Sequence, residues 1–541
     1  MSYPRLRDAG DSMLLLEFEP VVDVTVNARA IGTAAAVRAR SLPGVRDVRA
    51  TLRSVAVDYD PLVIDRDELA GVLMGAAEDA VPRQGRELEI PVVYGGDGGP
   101  DLTEVASRSA MREADVVAAH ADRWYHAFMI GFVPGFPYLG PVSDRIDAPR
   151  RATPRLRVPA GAVGIAGRQT GIYPRTSPGG WALVGRTNVR LFDPGRTPAA
   201  LVEPGDRVRF VPVEHLEFSD EPTVVPAARS LEPGAYLTVT APGLLTSVQD
   251  AGRWGSQNSG VTVGGALDRA ALAEANEAVG NDPAAAALEA TLPGLELLAN
   301  QACLMAVAGA DLGAALDGRP LPMAAAIEVP AGSTVRLTAR RSGTRAYIAV
   351  AGGIDVPAVL GSRATDLGTG FGGLGGRSLK AGDRLAIGQD HNATQAKTHN
   401  RGGGARGSGP GGGARLRVLW GPHDDRLRPE AQGDLMGTRF TVTPQSNRMA
   451  YRLHGSTPLR HRDLGEMISD ATVTGGIQVP PDGQPILLMA DRQVTGGYPL
   501  LATVITADLP LAAQLAPGDW VEFEPCSRDL ALSALRHGAG A

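Results

Sequence analysis

An arginine–glutamine pair occurs twice in the chain within one short motif, more than three hundred positions apart. The copies begin with Val-Pro at Val158 and Val479, and each continues through Arg-Gln and Thr-Gly to Tyr-Pro. Their arginines are Arg168 and Arg492. A guanidinium is a rigid set of donors and a glutamine amide both donates and accepts, so each pair could bind a carboxylate, an amide or a phosphate. The simpler interpretation is a well-made turn.

Two further segments combine residue types that line small-molecule sites. Residues 368–377 alternate glycine with Thr369, Phe371, Leu374 and Arg377, so the backbone amides could surround a phosphate. A glycine loop with a purely structural role is the alternative. Residues 131–140 alternate glycine and proline with aromatic residues, which could wall a ligand pocket or form a rigid corner of a barrel.

The strand pattern indicates what positions these segments. A Gly-Asp turn followed by an alternating strand occurs at 204–210, 381–387 and 517–523, which is typical of hairpins and predicts three β-barrel-like lobes. Before them, residues 13–18 predict a strand, residues 24–40 and 66–78 predict helices, and residues 101–120 predict one more helix. With a strand over 88–93, the N-terminal pattern is ferredoxin-like.

The predicted fold is therefore α+β and mostly β, with a ferredoxin-like unit followed by β-barrel domains. Residues 389–414 are of low complexity and rich in Gly, which predicts a linker that forms no core. The predicted domains and connections are 1–85, 86–217, a linker at 218–231, 232–388, a disordered linker at 389–414, 415–525 and a loose tail at 526–541.

Composition excludes several classes of function. The net charge is −6, with 53 basic and 59 acidic residues interspersed, so nothing predicts a nucleic-acid or membrane-surface partner. The two cysteines have no metal-ligand spacing and predict a reducing, cytoplasmic location. The N-terminal residues show no basic-then-apolar targeting pattern, and the apolar run at 13–18 is too short to span a membrane.

Long motifs identify a resemblance to a family. The runs at 90–102, 131–140 and 158–187 resemble the B subunit of 5-oxoprolinase, which is of the Kip and allophanate hydrolase subunit 1 type. Those at 247–253, 265–269, 446–449 and 477–493 resemble the C subunit, of the subunit 2 type. The same pair of modules resembles the carboxyltransferase region of biotin-dependent urea carboxylase. The resemblance implies a fusion of the two subunits built on cyclophilin-like barrels, with loop departures near Trp254 and Ala471.

The resemblance implies an ATP-dependent 5-oxoprolinase that acts with a separate A subunit of the YcsF/LamB type, using ATP and Mg²⁺. Phosphorylation of the lactam oxygen would open the carbonyl carbon to water, which requires cations for phosphate and carboxylate. His120, at a family-like position, could be a general acid or base or a structural residue. The candidate catalytic residues are Asp491, Arg492, Gln493, Arg168, Gln169 and His120. The candidate substrate- or ATP-binding residues are Phe132, Phe136, Tyr138, Thr170, Tyr173, Asp250, Arg253, Asp268, Ser446, Asn447, Arg448, Gln478 and Tyr498.

Several interpretations stay open at this point. The first concerns Asp250, Arg253 and Asp268, which are expected either to recognise an amino-acid-like substrate or to form ordinary salt bridges. The second concerns the residues around Arg448, which are expected to converge with residues 491–493 at the mouth of the last barrel. The acidic neighbour of Arg492 favours the second Arg-Gln copy as the catalytic one. An allophanate-pathway carboxyltransferase and a Kip-type kinase inhibitor are the alternative functions, although no biotin-carrier Met-Lys-Met motif occurs. A homo-oligomer is possible, and the metal ligands are unknown.

Overall fold

The computed structural model describes residues 3–218, 235–389, 407–409, 411–463, 465 and 467–539. We call residues 3–218 the first half and residues 235–539 the second half. The predicted α+β, mostly β class is confirmed. The predicted linker at 218–231 lies outside the described residues except for residue 218. Most of the predicted linker at 389–414 also lies outside them, but Ser408 accepts a bond from Gly343 N–H (2.8 Å) and the next strand already begins at Gly413.

The N-terminal unit packs two helices on a four-stranded sheet of order β1-β2-β4-β3. Asp23 and Asp65 cap the two helices by accepting bonds from the first backbone amides. Apolar residues of the sheet and both helices form one core. The elements are β1 (Arg5–Asp8), β2 (Met13–Glu17), α1 (Val24–Ala39), β3 (Val45–Ala50), β4 (Ser54–Tyr59) and α2 (Arg66–Glu78).

The ferredoxin-like prediction is correct in layout but wrong in one strand. The strand predicted over 88–93 leaves this sheet, because its backbone pairs in parallel with residues 207–212 inside the first barrel. β1 pairs antiparallel with β2 and takes the vacant edge position. The unit is therefore a circularly permuted version of the predicted arrangement.

The first barrel closes seven strands in the order β5-β12-β9-β10-β7-β6-β13, and β8 pairs with β11 beside it. The single helix predicted over 101–120 is two helices, because Ala110 adopts a left-handed backbone (φ 50°) between them. The elements are β5 (Glu87–Tyr94), α3 (Leu102–Arg108), α4 (Glu113–Ala121), β6 (Tyr125–Ile130), β7 (Pro137–Gly140), β8 (Arg155–Val158), β9 (Ala162–Ala166), β10 (Gln169–Ile172), β11 (Ser177–Gly179), β12 (Ala182–Arg186) and β13 (Arg207–Pro212).

The middle lobe corrects the prediction of a third barrel over 232–388. Its strands form a six-stranded and a five-stranded sheet that share one core without closing on each other. The elements are β14 (Tyr236–Pro242), β15 (Leu245–Gln249), α5 (Arg269–Ala278), β16 (Ala287–Thr291), β17 (Leu295–Ala299), β18 (Cys303–Asp311), β19 (Ala314–Leu316), β20 (Arg319–Pro320), β21 (Ile327–Val329), β22 (Thr334–Leu337), β23 (Ser342–Val350) and β24 (Arg384–Ala386).

The last barrel closes seven strands in the order β25-β32-β29-β30-β27-β26-β33, and β28 pairs with β31 beside it. The predicted loose tail is instead helical, and Arg528 in it donates to the hydroxyl of Tyr59 (2.5 Å). The elements are β25 (Gly413–Trp420), α6 (Glu430–Gly437), β26 (Phe440–Val442), β27 (Ala450–His454), β28 (Asp470–Ala471), β29 (Gly476–Gln478), β30 (Ile486–Leu488), β31 (Thr495–Gly496), β32 (Leu500–Val504), α7 (Leu509–Ala513), β33 (Trp520–Pro525) and α8 (Arg528–Ala539).

The two barrels have the same topology. In each, the first strand pairs in parallel with the last, and the remaining strands follow in the same spatial and chain order. The side pair β8–β11 of the first barrel corresponds to the side pair β28–β31 of the last. This correspondence allows residues of the two barrels to be compared by position.

Candidate functional site

The barrel topology shows that the two Arg-Gln copies are not equivalent in space. Arg168 lies in the turn between β9 and β10, whereas Arg492 lies between β30 and β31. Because β31 corresponds to β11, the counterpart of Arg492 is Arg175, just before β11. The sequence carries a signal for this pairing: each of these arginines precedes a Gly-Gly-aromatic run, ending in Trp181 and Tyr498. The Arg-Gln pair alone does not indicate that Arg175 corresponds to Arg492.

The first copy of the motif lies at the surface. Arg168 is exposed and forms an ion pair with the exposed carboxylate of Asp144. Gln169 begins β10 and pairs with Ala166 across the hairpin. Neither residue joins the buried charges described below.

The second copy lies in a buried charged cluster. Arg448 donates to both oxygens of Asp491, with Nε–Oδ2 2.9 Å and Nη2–Oδ1 3.0 Å, and to the carbonyl of Gly265 (2.6 Å). It also forms an ion pair with Glu289 of the middle lobe. The predicted convergence of Arg448 with Asp491 is confirmed, whereas Glu289 has no local sequence signal and was missed.

Burial controls the charges of this cluster. It raises the pKa of Asp491 to about 6, although Arg448 acts in the opposite direction, and the nearby Asp366 and Glu289 add to the rise. Burial also acts to raise the pKa of Glu289, but Arg448 and Arg345 more than offset it and leave that pKa below its ordinary value. Glu289 additionally accepts a bond from the hydroxyl of Tyr347 (2.7 Å). Of the two carboxylates that Arg448 contacts, Asp491 is therefore the one whose pKa lies nearer to neutral pH.

Arg492 is a buried cation without a direct carboxylate partner among the described residues. Its Nη2 donates to Oε1 of Gln257 (3.1 Å) and its Nη1 to Oγ1 of Thr472 (3.4 Å). Gln257 in turn donates to Asp58 (2.9 Å) and Asp47 (3.2 Å) of the first half. Burial lowers the pKa of Arg492 to about 9. Arg492 thus acts at the junction of the two halves, through an amide that bridges it to two acidic residues.

His120 does not have the properties of an acid–base catalyst. It is fully buried in the first barrel, where Nδ1 bonds the hydroxyl of Tyr94 (2.7 Å) and Nε2 bonds that of Thr170 (2.9 Å), and the ring stacks on Phe210. Burial lowers its pKa to about 3. The prediction of a near-neutral His120 is wrong, because both ring nitrogens are satisfied by neutral hydroxyls and no described carboxylate stabilises a charge.

We expect His120 to make folding stability depend on pH. Below the ordinary histidine pKa of about 6.5, the histidine side chain is protonated in the unfolded chain but stays neutral in the folded chain. The free energy of unfolding therefore falls by about 1.4 kcal/mol per pH unit as pH decreases towards 3. The His120→Gln variant should lose that part of the slope. Urea unfolding between pH 7 and 5 measures it, with the exposed His215→Gln variant as control; equal slopes in both variants would contradict the assignment.

The aromatic run at 131–140 forms a packed corner and does not wall a pocket with its rings. Phe136 and Tyr138 are buried and meet Tyr173 and Trp181 edge to face, with ring centroids 5.1–5.9 Å apart. Phe132 is partly exposed, and its N–H donates to Oγ1 of Thr495 in the second half (3.4 Å). These contacts favour the alternative of a rigid corner of the barrel, and ligand binding by Phe132, Phe136 and Tyr138 stays a prediction.

Three predicted recognition residues brace loops of the second half. Asp250 accepts bonds from the hydroxyl of Ser362 (2.7 Å) and the backbone of Arg363 (2.6 Å). Arg253 donates to the carbonyls of residues 359 and 364 (2.8 Å each) and lies over the ring of Phe371. Asp268 caps α5. Arg253 therefore contacts the glycine-rich loop and Asp250 fixes the segment before it, and neither forms a surface salt bridge with a described residue.

The remaining predicted residues have mainly local contacts. Ser446 and Asn447 stabilise the turn before β27 by accepting backbone bonds. Gln478 is buried and donates to the carbonyl of Tyr498 (3.3 Å), whose side chain is exposed. The carbonyl of Gln493 accepts a bond from Thr472. Among the described residues no hydrogen bond joins these side chains to Arg448 or Asp491, and their convergence at the mouth of the barrel stays a prediction.

One group in the described part of the chain has the composition of a metal site. Glu17, His423 and Asp470 are buried with ligand atoms within 4.8 Å of one another. However, Glu17 already pairs with Arg53 (2.8 Å) and Arg5 (2.5 Å), and Nδ1 of His423 accepts the N–H of Leu500, which leaves the proton of a neutral ring on Nε2. Two arginines and a protonated nitrogen do not fit Mg²⁺, which prefers oxygen ligands.

Comparison with known proteins decides the family. Residues 4–202 match the carboxyltransferase domain, subdomain C and D, and residues 259–525 match the carboxyltransferase domain, subdomain A and B. The C subunit of 5-oxoprolinase from Escherichia coli (strain K12) is 41% identical over 55% of this chain and 94% of that protein. The B subunit from Escherichia coli O157:H7 is 42% identical over 38% of this chain and 93% of that protein. The chain belongs to the family of the 5-oxoprolinase B and C subunits.

Solved structures extend the family relationship to the whole chain. The crystal structure of TTHA0988 superposes with a TM-score of 0.83 at 36% identity and covers 95% of this chain and 99% of that one. The Kluyveromyces lactis urea amidolyase shares 30% identity over 57% of this chain but only 20% of that protein, with a TM-score of 0.54. The B and C subunits, which are separate proteins in Escherichia coli, are thus joined here. Among the described helices, none is long and apolar enough to cross a membrane.

Proposed function

We propose that this protein is the fused B and C component of an ATP-dependent 5-oxoprolinase. The observation that carries the proposal is that one chain is similar to both subunits over 93% and 94% of their lengths. The geometry supports it, because the charged clusters at Arg448 and Arg492 each combine residues from two structural units. A chain that needed only one half, such as a Kip-type inhibitor, would not require them.

The chemistry of the proposed reaction matches a complex of several subunits. An unstrained five-membered lactam resists hydrolysis, and transfer of the ATP γ-phosphoryl group to the lactam oxygen activates the carbonyl carbon for attack by water. The ring C–N bond of the resulting adduct then breaks as the nitrogen takes up a proton, and a second water hydrolyses the acyl phosphate that remains. The products are glutamate, ADP and phosphate. Asp491, with its pKa of about 6, is the candidate for proton exchange in this chain.

We assign Mg²⁺ to the bound ATP, because the group formed by Glu17, His423 and Asp470 among the described residues does not suit it. The sequence has no Walker A motif, so another arrangement of groups would hold the nucleotide. A YcsF/LamB-type A subunit is the partner that we propose to supply the remaining groups.

The direct test mixes the purified chain with a YcsF-type partner, 5-oxoproline and ATP-Mg²⁺ and measures glutamate. We expect glutamate to form only when all components are present. The absence of glutamate with a partner shown to bind the chain would overturn the proposal and favour a carboxyltransferase-like role or a Kip-type role.

The same assay distinguishes the two Arg-Gln copies. Arg492→Met removes the donors to Thr472 and to Gln257, the amide that bonds Asp47 and Asp58 across the junction, so we expect glutamate formation to fall by roughly 10–100-fold through misplacement of the site. Arg168→Met changes an exposed side chain and should retain activity within about twofold. The reverse order of effects would show that the surface copy carries the function.

A further inference from the structure

A short segment on the outer side of the first barrel concentrates positive charge. Residues 149–157, which we call the basic segment, contain four arginines, at positions 150, 151, 155 and 157, and no acidic residue. All nine residues except Arg155 are exposed. The whole chain has a net charge of −6, so this concentration is local. Such a surface attracts acidic groups.

Two of the four arginines fix the segment to the barrel. Arg151 (3.2 Å) and Arg155 (2.6 Å) both donate to Oδ1 of the buried Asp101, whose Oδ2 accepts the N–H of Leu183 in β12 (2.7 Å). The N–H of Arg151 also donates to the carbonyl of Gly180 (2.8 Å). The barrel therefore sets the conformation of the basic segment before any partner binds, which lowers the entropic cost of binding.

The remaining groups of the basic segment have no use within the described part of the chain. Arg150 and Arg157 are exposed, and neither forms a hydrogen bond or ion pair with a described residue. Leu156 is 92% exposed, the largest fraction of any large apolar residue among those described. Its strand, β8, pairs with β11 and with no other described strand. The segment thus offers two cations, an apolar side chain and a free strand edge.

The corresponding surface of the last barrel is covered. Both residues of β28, the counterpart of β8, are buried under the N-terminal unit. Ser54 donates to Asp470 (2.5 Å), Arg49 donates to the carbonyl of Thr472 (2.6 Å), and Ala471 packs in one apolar cluster with residues of β2 and β4. In the first barrel the exposure of residues 156 and 157 shows that no described segment takes the equivalent place over β8. One barrel therefore has its side strand covered and the other does not.

Charge and geometry determine which kind of partner fits this surface. The N-terminal unit of a second copy does not fit, because the face that covers β28 is already buried within its own chain. Two basic segments would repel each other, since Arg150 and Arg157 are positive in both. A nucleic acid would leave Leu156 and the strand edge unused. An acidic, extended polypeptide uses all three features, since its carboxylates pair with the arginines while its backbone pairs with β8.

We propose that the basic segment is the docking surface for the A-type subunit of the proposed 5-oxoprolinase, and that an acidic, extended stretch of that subunit adds to β8 as a further strand. The inference rests on the proposed function, since it places the partner of that function on this chain. It explains why Arg150 and Arg157 lack internal partners and why Leu156 is exposed. Because the contact is between opposite charges at the surface, it weakens with added salt.

The test measures the affinity of the full-length chain for a purified YcsF-type subunit by titration calorimetry. The double variant Arg150→Glu, Arg157→Glu should raise the Kd by at least about 30-fold, because it places like charges against the acidic stretch. Leu156→Ala should raise the Kd by about 5–30-fold. Added salt should raise the Kd of the unchanged chain much more than that of the double variant. Thermal unfolding should be unaltered in both variants, because the replaced side chains have no partners within the described chain.

The matched controls change the same residue types elsewhere on the surface. Arg40→Glu with Arg319→Glu makes the same change of charge at two exposed arginines, and Leu244→Ala shortens a leucine that is 71% exposed. Both controls should bind the partner like the unchanged chain.

Three results would overturn the docking surface: unchanged affinity in the double variant, no binding of the partner to the unchanged chain, or self-association of the chain that the double variant abolishes. Glutamate formation is measured in parallel to separate the two proposals. Full activity together with full affinity in the double variant would refute the surface and leave the proposed function standing. Absence of glutamate despite a bound partner would refute the proposed function itself.

Discussion

Replacing Arg448 with alanine is expected to lower the free energy of unfolding by about 3–5 kcal/mol. The guanidinium is buried, and it is the cation that contacts both Asp491 and Glu289. Its loss would leave two carboxylates close together in the interior, where one would have to take up a proton. Urea unfolding at pH 7 and again at pH 5 measures this, and we expect the defect to be smaller at pH 5, because protonation of Asp491 relieves the repulsion.

Arg452→Ala is the matched control, since Arg452 lies four residues further on and is exposed. Its effect should stay within about 0.5 kcal/mol. Equal stability of the two variants would show that Arg448 does not balance the charges of Asp491 and Glu289.

Replacing Asp470 with alanine is expected to cost about 3 kcal/mol and to weaken the contact between the halves. Its Oδ1 accepts bonds from the hydroxyls of Ser54 (2.5 Å) and Thr51 (3.3 Å) in the first half, and its Oδ2 faces Nε2 of His423 (3.7 Å). Without the carboxylate these buried groups lose their acceptor. Burial opposes its ionisation, but His423 and the hydroxyl of Ser54 lower the pKa of Asp470 to about 2. Its contribution is thus present above about pH 4 and lost only as pH falls towards 2.

A second carboxylate between the halves provides the control for Asp470. Asp425 pairs with Arg7 of the first half (3.2 Å), but its side chain is 49% exposed. Asp425→Ala should therefore cost less than about 1 kcal/mol. Thermal unfolding of both variants at pH 7 makes the comparison, and an equal loss in the two would refute the special role of the buried carboxylate.

Periodicity and repeats in the sequence correctly indicated much of the architecture. The Gly-Asp turns at 205 and 518 precede the strands that close the two barrels, because a tight turn followed by an alternating strand is a local property. The turn at 382 precedes a similar strand, but that strand lies at the edge of an open sheet. Closure depends on partners distant in sequence, which no local pattern specifies.

The candidate site was partly predictable for the same reason. Arg448 and Asp491 were expected together because both border the strands of one barrel. Gln257 and Glu289 come from the middle lobe and carry no motif, so their contribution required the three-dimensional arrangement. Arg175 was missed because its equivalence to Arg492 follows from the order of the strands and not from the repeated Arg-Gln motif. The pKa of His120 was predicted wrongly because burial and hydroxyl partners, which set it, are tertiary properties.

The contacts between the halves are spread over the N-terminal sheet, the last barrel and the terminal helix. Arg49 donates to the carbonyl of Thr472 (2.6 Å), and Arg528 donates to the hydroxyl of Tyr59 (2.5 Å). In relatives whose two halves are separate polypeptides, such contacts must form by collision and depend on the amount of each protein. Here a covalent connection gives each half a local concentration of its partner on the order of millimolar, whatever the level of expression. Assembly of this pair is therefore insensitive to dilution, and its one-to-one stoichiometry is set by translation of a single message.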